Sequence, residues 1–396
     1  MPEQVCYCGT KMVEMQVCKY QCKNCVPGTT ILLGDNKQIA ILRPGDMCVG
    51  VTGHVRVNEK YQRPYEGEIV KIRTAGLLNI ETTPEHPILV VRSKVRQHRT
   101  VSLSEPEWKQ AKDILPKRRW RDGDYLVMPR VVGCVSINVL DLGQFTNEHG
   151  RRTAGFRKTP LVFPIDESSA WLLGMYVAEG CSSATGILFS LSREESDLHQ
   201  RIVNIGQLLG YSPFVSNVPT GTIVGISSRL LGRAFPVWCG SRAPNKRIPD
   251  FILLHENIAI VRAFLHGYLQ GDGSIDRKRS RASTVSPVLS MQLQLLCARL
   301  GMTVNVRKIS DPGEGFIQGR RVRLHEKYGL TVYPHSRQMR VLDDKILVPV
   351  KKVETSPFKG KVYNIATADG TYLASNAVVH NCGMVWDCED VLGLPK

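Results

Sequence analysis

Asn-Cys occurs twice in this chain, as Asn24-Cys25 in "QCKNCVPG" and as Asn381-Cys382 in "VVHNCGMVW". Cys22 and Cys25 have metal-ligand spacing, but the Val-Pro that follows does not close a zinc knuckle. Deleting residues 25 to 381 yields "CKNCGMVW", in which a normal knuckle is restored, so the two dipeptides read as the edges of one insertion. A thiol is the best internal nucleophile near neutral pH. Two further groups with chemical potential are Glu179 and Asp272, which close the helical patterns "SSAWLLGMYVAEG" and "VRAFLHGYLQGDG". Gly174 and Ala178 stand four apart, as do Gly267 and Gly271, which puts small residues on one helix face and lets two backbones approach closely. The acids then emerge side by side, and paired carboxylates suit Mg2+, a hard ion that keeps positions for water and phosphate.

The elements that must position these groups fall into two textures. After Cys25, short apolar stretches alternate with Gly, Pro and Asp ("TTILL", "QIAIL", "CVGVTGHVRV", "HPILVV"), and the texture returns in "ILVPVKKVE" and "GKVYNIATADGTYLASNAVV". This predicts one all-β domain split by an insertion. Between its parts, each helix that ends in an acid is followed by a strand-like region and a second helix, ending at Gly210 and Gly301, which predicts an internal duplication.

A chain of 396 residues is long enough for two or three cores, and its net charge of +16 favours a polyanionic partner. Residues 131 to 340 hold 25 Lys and Arg against 15 Asp and Glu, so the surplus is concentrated there. "DRKRSRAS" and "GRRVRLHEKYG" are candidate phosphate-tracking strands, and "RSKVRQHRT" to "PKRRW" extends the basic surface. No apolar run reaches spanning length and "MPEQVCYCG" is not a signal peptide, so a cytoplasmic protein without membrane contact is expected. Six of the 12 cysteines (Cys6, Cys8, Cys18, Cys22, Cys382 and Cys388) crowd into the flanks outside the insertion, a distribution that suggests metal there and reduced thiols elsewhere.

With "CVPGTTILL", "TTPEHPILV" and "VYNIATADGTYLASNAVVHN" in this order, residues 25 to 381 resemble a protein-splicing intein carrying a LAGLIDADG (DOD-type) homing endonuclease. The resemblance implies a multidomain chain. An all-β Hint (hedgehog/intein) splicing domain (25–130 and 345–381) would be interrupted by an α/β endonuclease pseudo-dimer (131–344) and flanked by halves of a zinc ribbon (1–24 and 382–396). It implies that Cys25 attacks the Asn24 carbonyl, with Thr83 and His86 assisting. Cys382 then takes over the acyl group, and Asn381 cyclises beside His380 to release the insertion. For the endonuclease it implies Mg2+ at Glu179 and Asp272, Lys246 near the scissile phosphate, double-stranded DNA at the uninterrupted insertion site as partner, and a monomer with internal two-fold symmetry. Joined, the flanks resemble a zinc ribbon with Zn2+ on Cys6, Cys8, Cys22 and Cys382; Cys18 or Cys388 can replace a ligand.

Many members of this family carry Asp where this chain has Asn364, and His where it has Gly370. Those positions assist branching and cyclisation, so splicing is expected to be slow but competent. Two other readings stand beside this one: a zinc-dependent nucleic-acid-binding regulator with an inert insertion, and a protein using "CKNC" as a redox dithiol.

Overall fold

The computed structural model describes residues 24–95, 101–118, 121–146, 160–276, 278–317, 319–336 and 338–381. The expected zinc cysteines, the expected nucleophile Cys382 and parts of the basic stretches (96–100, 119–120 and 277) lie outside the described residues. No helix among the described residues is long and apolar enough to cross a membrane.

Alternation in "GHVRVNEKYQRPYEGEIVKIRT" and "KILVPVKKVETSPFKGKVYNIAT" builds two long strands, Gly53–Thr74 and Lys345–Thr367. They pair antiparallel from Val350 opposite Thr74 to Thr367 opposite Val57. Their ends are buried and their middles exposed, so the ribbon is anchored at both ends. The 12-stranded sheet runs in the order Thr371–Ala374, Ala377–His380, Pro87–Val95, Gly123–Pro129, Lys345–Thr367, Gly53–Thr74, Met47–Gly50, with shorter strands attached. Leu126 pairs with Val348, so the chain before and after the helical region completes one sheet around a shared core that includes Val57, Ile72, Val90, Leu126 and Leu347.

The helical region holds α1 (Glu167–Glu179), α2 (Ser196–Leu208), α3 (Arg229–Cys239), the short α4 (Asp250–Leu253), α5 (Ile258–Asp272) and α6 (Pro287–Arg299). Two four-stranded sheets accompany them. The first runs Gly180–Ser183, Gly186–Leu191, Gly221–Ser227, Ser212–Val218; the second runs Ser274–Ile275, Ser280–Thr284, Lys327–Tyr333, Thr303–Ser310. Both follow the same order of first, second, fourth and third strand, apart from a hairpin, Gly313–Ile317 with Arg320–Leu324, inserted in the second.

Local chemistry sets where the central helices begin. Asp166 accepts the Ser169 N–H (2.8 Å) while the Ser169 hydroxyl accepts the Asp166 N–H (2.9 Å), a reciprocal cap on α1. Asn257 caps α5 by accepting the Ala259 N–H (3.0 Å). Glycine permits the close approach of α1 and α5: a Cβ on Gly174 would lie 2.1 Å from the Phe264 carbonyl oxygen, and one on Gly267 2.1 Å from that of Trp171. Gly267→Val is therefore expected to force the helices apart and to cost about 1–3 kcal/mol of stability, read as a lower thermal midpoint.

α6 ties the helical region to the sheet. Its buried Gln294 donates to the Gly76 carbonyl (2.6 Å) and accepts from the Asn376 amide (3.0 Å), which also donates to the Met291 carbonyl (2.8 Å). Arg130 donates to the Ala298 carbonyl (2.8 Å) at the C-terminal end of the same helix. Asn376 lies in the tight turn between the strands Thr371–Ala374 and Ala377–His380, so a helix of the duplicated region grips the hairpin that leads into Asn381.

Candidate functional site

Cys25 is buried in a small cluster with Ile69 and Val362, against Tyr65 and Phe358. Val26 pairs with Tyr363 and Pro27 with Val362, so continuing the register by one residue sets Cys25 beside Asn364. Thr83 sits across the Cys25 peptide group: its hydroxyl accepts the Cys25 N–H (2.9 Å) and donates to the Cys25 carbonyl (3.3 Å), and its N–H donates to the same carbonyl (2.9 Å). It therefore engages the nitrogen that would leave in an attack on Asn24. His86 closes the same turn by donating its N–H to the Thr83 carbonyl (3.1 Å); its ring is fully buried, edge-on to Tyr372 with centroids 6.3 Å apart. On the other side, the side-chain amide of Asn364 donates to the Asn24 carbonyl oxygen.

Asn381 is held by the same long strand. With its amide oriented to suit both neighbours, Asn381 donates to the Gly370 carbonyl (3.2 Å) and accepts from the Thr367 N–H (3.1 Å). Its own N–H donates to the Gly370 carbonyl (2.9 Å). Gly370 has φ of 74°, where an L side chain is strained, so it serves this junction through its backbone. His380 Nδ1 lies 2.7 Å from the Asn381 carbonyl oxygen, where the Nδ1-protonated ring donates to it, and Trp108 packs edge-on at 5.0 Å.

The second constellation lies at the foot of α1 and α5. Glu179 and Asp272, the last residues of these helices, line one cavity of about 900 Å³ together with Lys246, Lys327 and Arg242. Burial, and then the Glu179 carboxylate, push Asp272 up to about 7, while Lys246 and Lys327 oppose the shift. Glu179 is also raised, by burial first and then by Glu195. Two carboxylates held at the end of a helix pair, with their charge disfavoured, fit a hard divalent cation completed by water and phosphate. Among the described residues there is no group of three or more His, Cys, Asp or Glu that could hold a metal ion.

Lys246 is 7% exposed, donates to the carbonyls of Tyr176 (2.6 Å) and Gly180 (2.8 Å), and stacks over the Tyr176 ring at 3.8 Å. Burial brings its ammonium down to about 8, so it remains charged at neutral pH. It both satisfies the C-terminal carbonyls of α1 and carries a cation into the cavity. Lys327 lies in the stretch "GRRVRLHEKYG" expected to track phosphates, but its place beside the two acids, as a counterpart of Lys246, was not anticipated from the sequence. It begins the strand Lys327–Tyr333, beyond the inserted hairpin, and this insertion removes any spacing relation to the first half that would have flagged it. Because Lys327 is exposed, Lys327→Ala is expected to leave the thermal midpoint unchanged and, on the reading of this cavity as a DNA-cleaving site, to slow cleavage about tenfold, roughly 1.4 kcal/mol.

Residues 259–331 match the LAGLIDADG-like domain family. Over most of its length the chain is similar to the ATP-dependent DNA helicase Hel308 of Thermococcus kodakarensis, 28% identical over 392 residues that cover 87% of this chain and 35% of that protein. It is also similar to an iron-sulfur cluster assembly SufBD family protein of Mycobacterium tuberculosis, 26% identical over 395 residues that cover 91% of this chain and 43% of that protein. The chain thus spans less than half the length of these curated relatives. Among solved structures, I-DmoI in complex with DNA and Ca aligns with 17% identity and a TM-score of 0.33, over 42% of this chain and 82% of that chain. The match to the LAGLIDADG-like domain family spans the acid-bearing helix α5, the helix α6 and the strands between and after them.

Proposed function

We propose that residues 25–381 excise themselves by protein splicing, and that the inserted residues 131–344 cut double-stranded DNA at the uninterrupted insertion site. One observation carries the splicing reading: a single strand holds both junctions. Asn364 engages the Asn24 carbonyl and Thr367 engages the Asn381 side chain. Three residues along a strand span ~10 Å. The relatives add support of a different kind, since proteins named for unrelated tasks share with this chain a segment that covers less than half of each, the pattern a mobile insertion leaves.

In this reading residues 25–130 and 345–381 form the Hint domain. The Cys25 sulfur adds to the Asn24 carbonyl carbon, and the Cys25 nitrogen leaves with a proton, giving a thioester. The Cys382 sulfur displaces that of Cys25. The Asn381 side-chain nitrogen then closes on the Asn381 carbonyl carbon, polarised by His380, and expels the Cys382 nitrogen. An S-to-N shift leaves an Asn24-Cys382 peptide bond, so neither water nor ATP is consumed. The joined flanks would bind zinc through Cys6, Cys8, Cys22 and Cys382.

For the DNA reaction, Glu179 and Asp272 would hold Mg2+, which supplies positive charge to the scissile phosphate and acidifies water. Lys246 and Lys327 bring cations to the same cavity, and Arg281 and Arg323 lie on the flanking strands, where phosphates can be tracked. Plasmids carrying residue 24 and residue 382 codons as neighbours, incubated with protein and Mg2+, are expected to be linearised. Absence of cleavage at every salt concentration would leave the helical region a scaffold.

A further inference from the structure

We propose that Asn364 is a catalytic residue of the first acyl exchange, an oxyanion donor to the Asn24 carbonyl. The inference rests on the splicing reading above and assigns a role to the position where the resemblance leads one to expect an acid. Asn364 is fully buried, in the long strand Lys345–Thr367. Its side-chain oxygen accepts the Ile365 N–H (2.8 Å), which fixes the amide's orientation and turns the NH2 group toward the Asn24 carbonyl oxygen. The strand register continued from Val26 opposite Tyr363 brings this residue beside Cys25, so the donor faces the carbonyl that Cys25 attacks.

The two sides of the scissile peptide are thereby divided between two residues. Thr83 engages the leaving nitrogen, and Asn364 engages the oxygen on which negative charge develops. A donor already in place in a buried site strengthens its bond as that charge grows, without reorganisation during the step. An ionised carboxylate at position 364 would present acceptors alone to the same oxygen and repel it.

The test uses the full chain carrying Asn381→Ala and Cys382→Ala, so that the first exchange alone remains, with dithiothreitol to capture the thioester and release residues 1–24, followed by mass spectrometry. Adding Asn364→Ala is expected to slow release by about 10²–10³-fold. Release within about threefold of the parent would overturn the proposal. Asn364→Asp, nearly isosteric, is measured alongside in case the alanine variant does not fold. Its rate relative to the parent at the same pH is expected to rise on acidification, because a protonated carboxyl regains a donor. A ratio independent of pH would contradict the proposal. If the parent itself releases nothing, the splicing reading fails instead, and the two failures are distinguishable.

Discussion

Asn381→Ala is expected to abolish ligation while leaving cleavage at Cys25 intact. The alanine side chain offers no nitrogen to close on the neighbouring carbonyl, and an intramolecular attack with an effective molarity on the order of 10⁵ M or more is lost with the group. In the proposed first exchange this residue takes no part: Thr83 bonds the Cys25 peptide group and Asn364 the Asn24 carbonyl, while Asn381 is held separately by Thr367 and Gly370. The variant should therefore accumulate branched or thioester species that thiol cleaves to free residues 1–24. Mass measurement checks this, and full ligation in the variant would contradict the role assigned to Asn381.

The second large effect is expected at Asp272. Asp272→Asn removes one of the two carboxylates at the foot of the helix pair and should lower DNA cleavage by at least ~10²-fold, about 3 kcal/mol of stabilisation of the reacting phosphate. The same pair sets a pH dependence. Asp272 stands at about 7 in the folded chain, against an ordinary value of about 3.9. Between those values the folded state holds a proton that the unfolded chain has released. The resulting stability is fully present below about pH 4 and is lost as pH rises through about 7. Metal-free protein should thus melt lower at pH 8 than at pH 5.5 by the contribution of this site, and Asp272→Asn should flatten that decline. Mg2+ should raise the melting midpoint more at pH 8, where the carboxylates are ionised and repel one another, than at pH 5.5. An equal gain at both values, measured by thermal unfolding with and without Mg2+, would remove the pair as the metal site.

The two helix-to-acid patterns were legible because a helix repeats locally: Gly174 with Ala178 and Gly267 with Gly271 mark a close contact through spacing alone. The acids follow as the last residues of those helices. The split β texture was legible for a similar reason, since alternation shows in short windows. The same windows could not reveal which distant residues meet. Asn364 lies 340 positions from Asn24, and its value depends on a strand register that no local pattern specifies. In the sequence it reads as the loss of an acid, whereas its amide is aimed at the carbonyl. Gly370 likewise reads as a missing histidine, yet its backbone conformation and carbonyl hold Asn381. The place of Lys327 beside the acids was hidden by the inserted hairpin, and the buried Gln294 of α6 makes sense once Gly76 and Asn376 arrive from the sheet.

The central claim is that the chain cuts and rejoins its own backbone, and the mass of freshly expressed protein under reducing conditions tests it most directly. Splicing of this chain yields an excised product, residues 25–381, and a ligated product joining residues 1–24 to 382–396, each with a calculable mass. A single species of the full 396 residues, persisting in reducing, metal-free buffer at every temperature tried, would contradict the account.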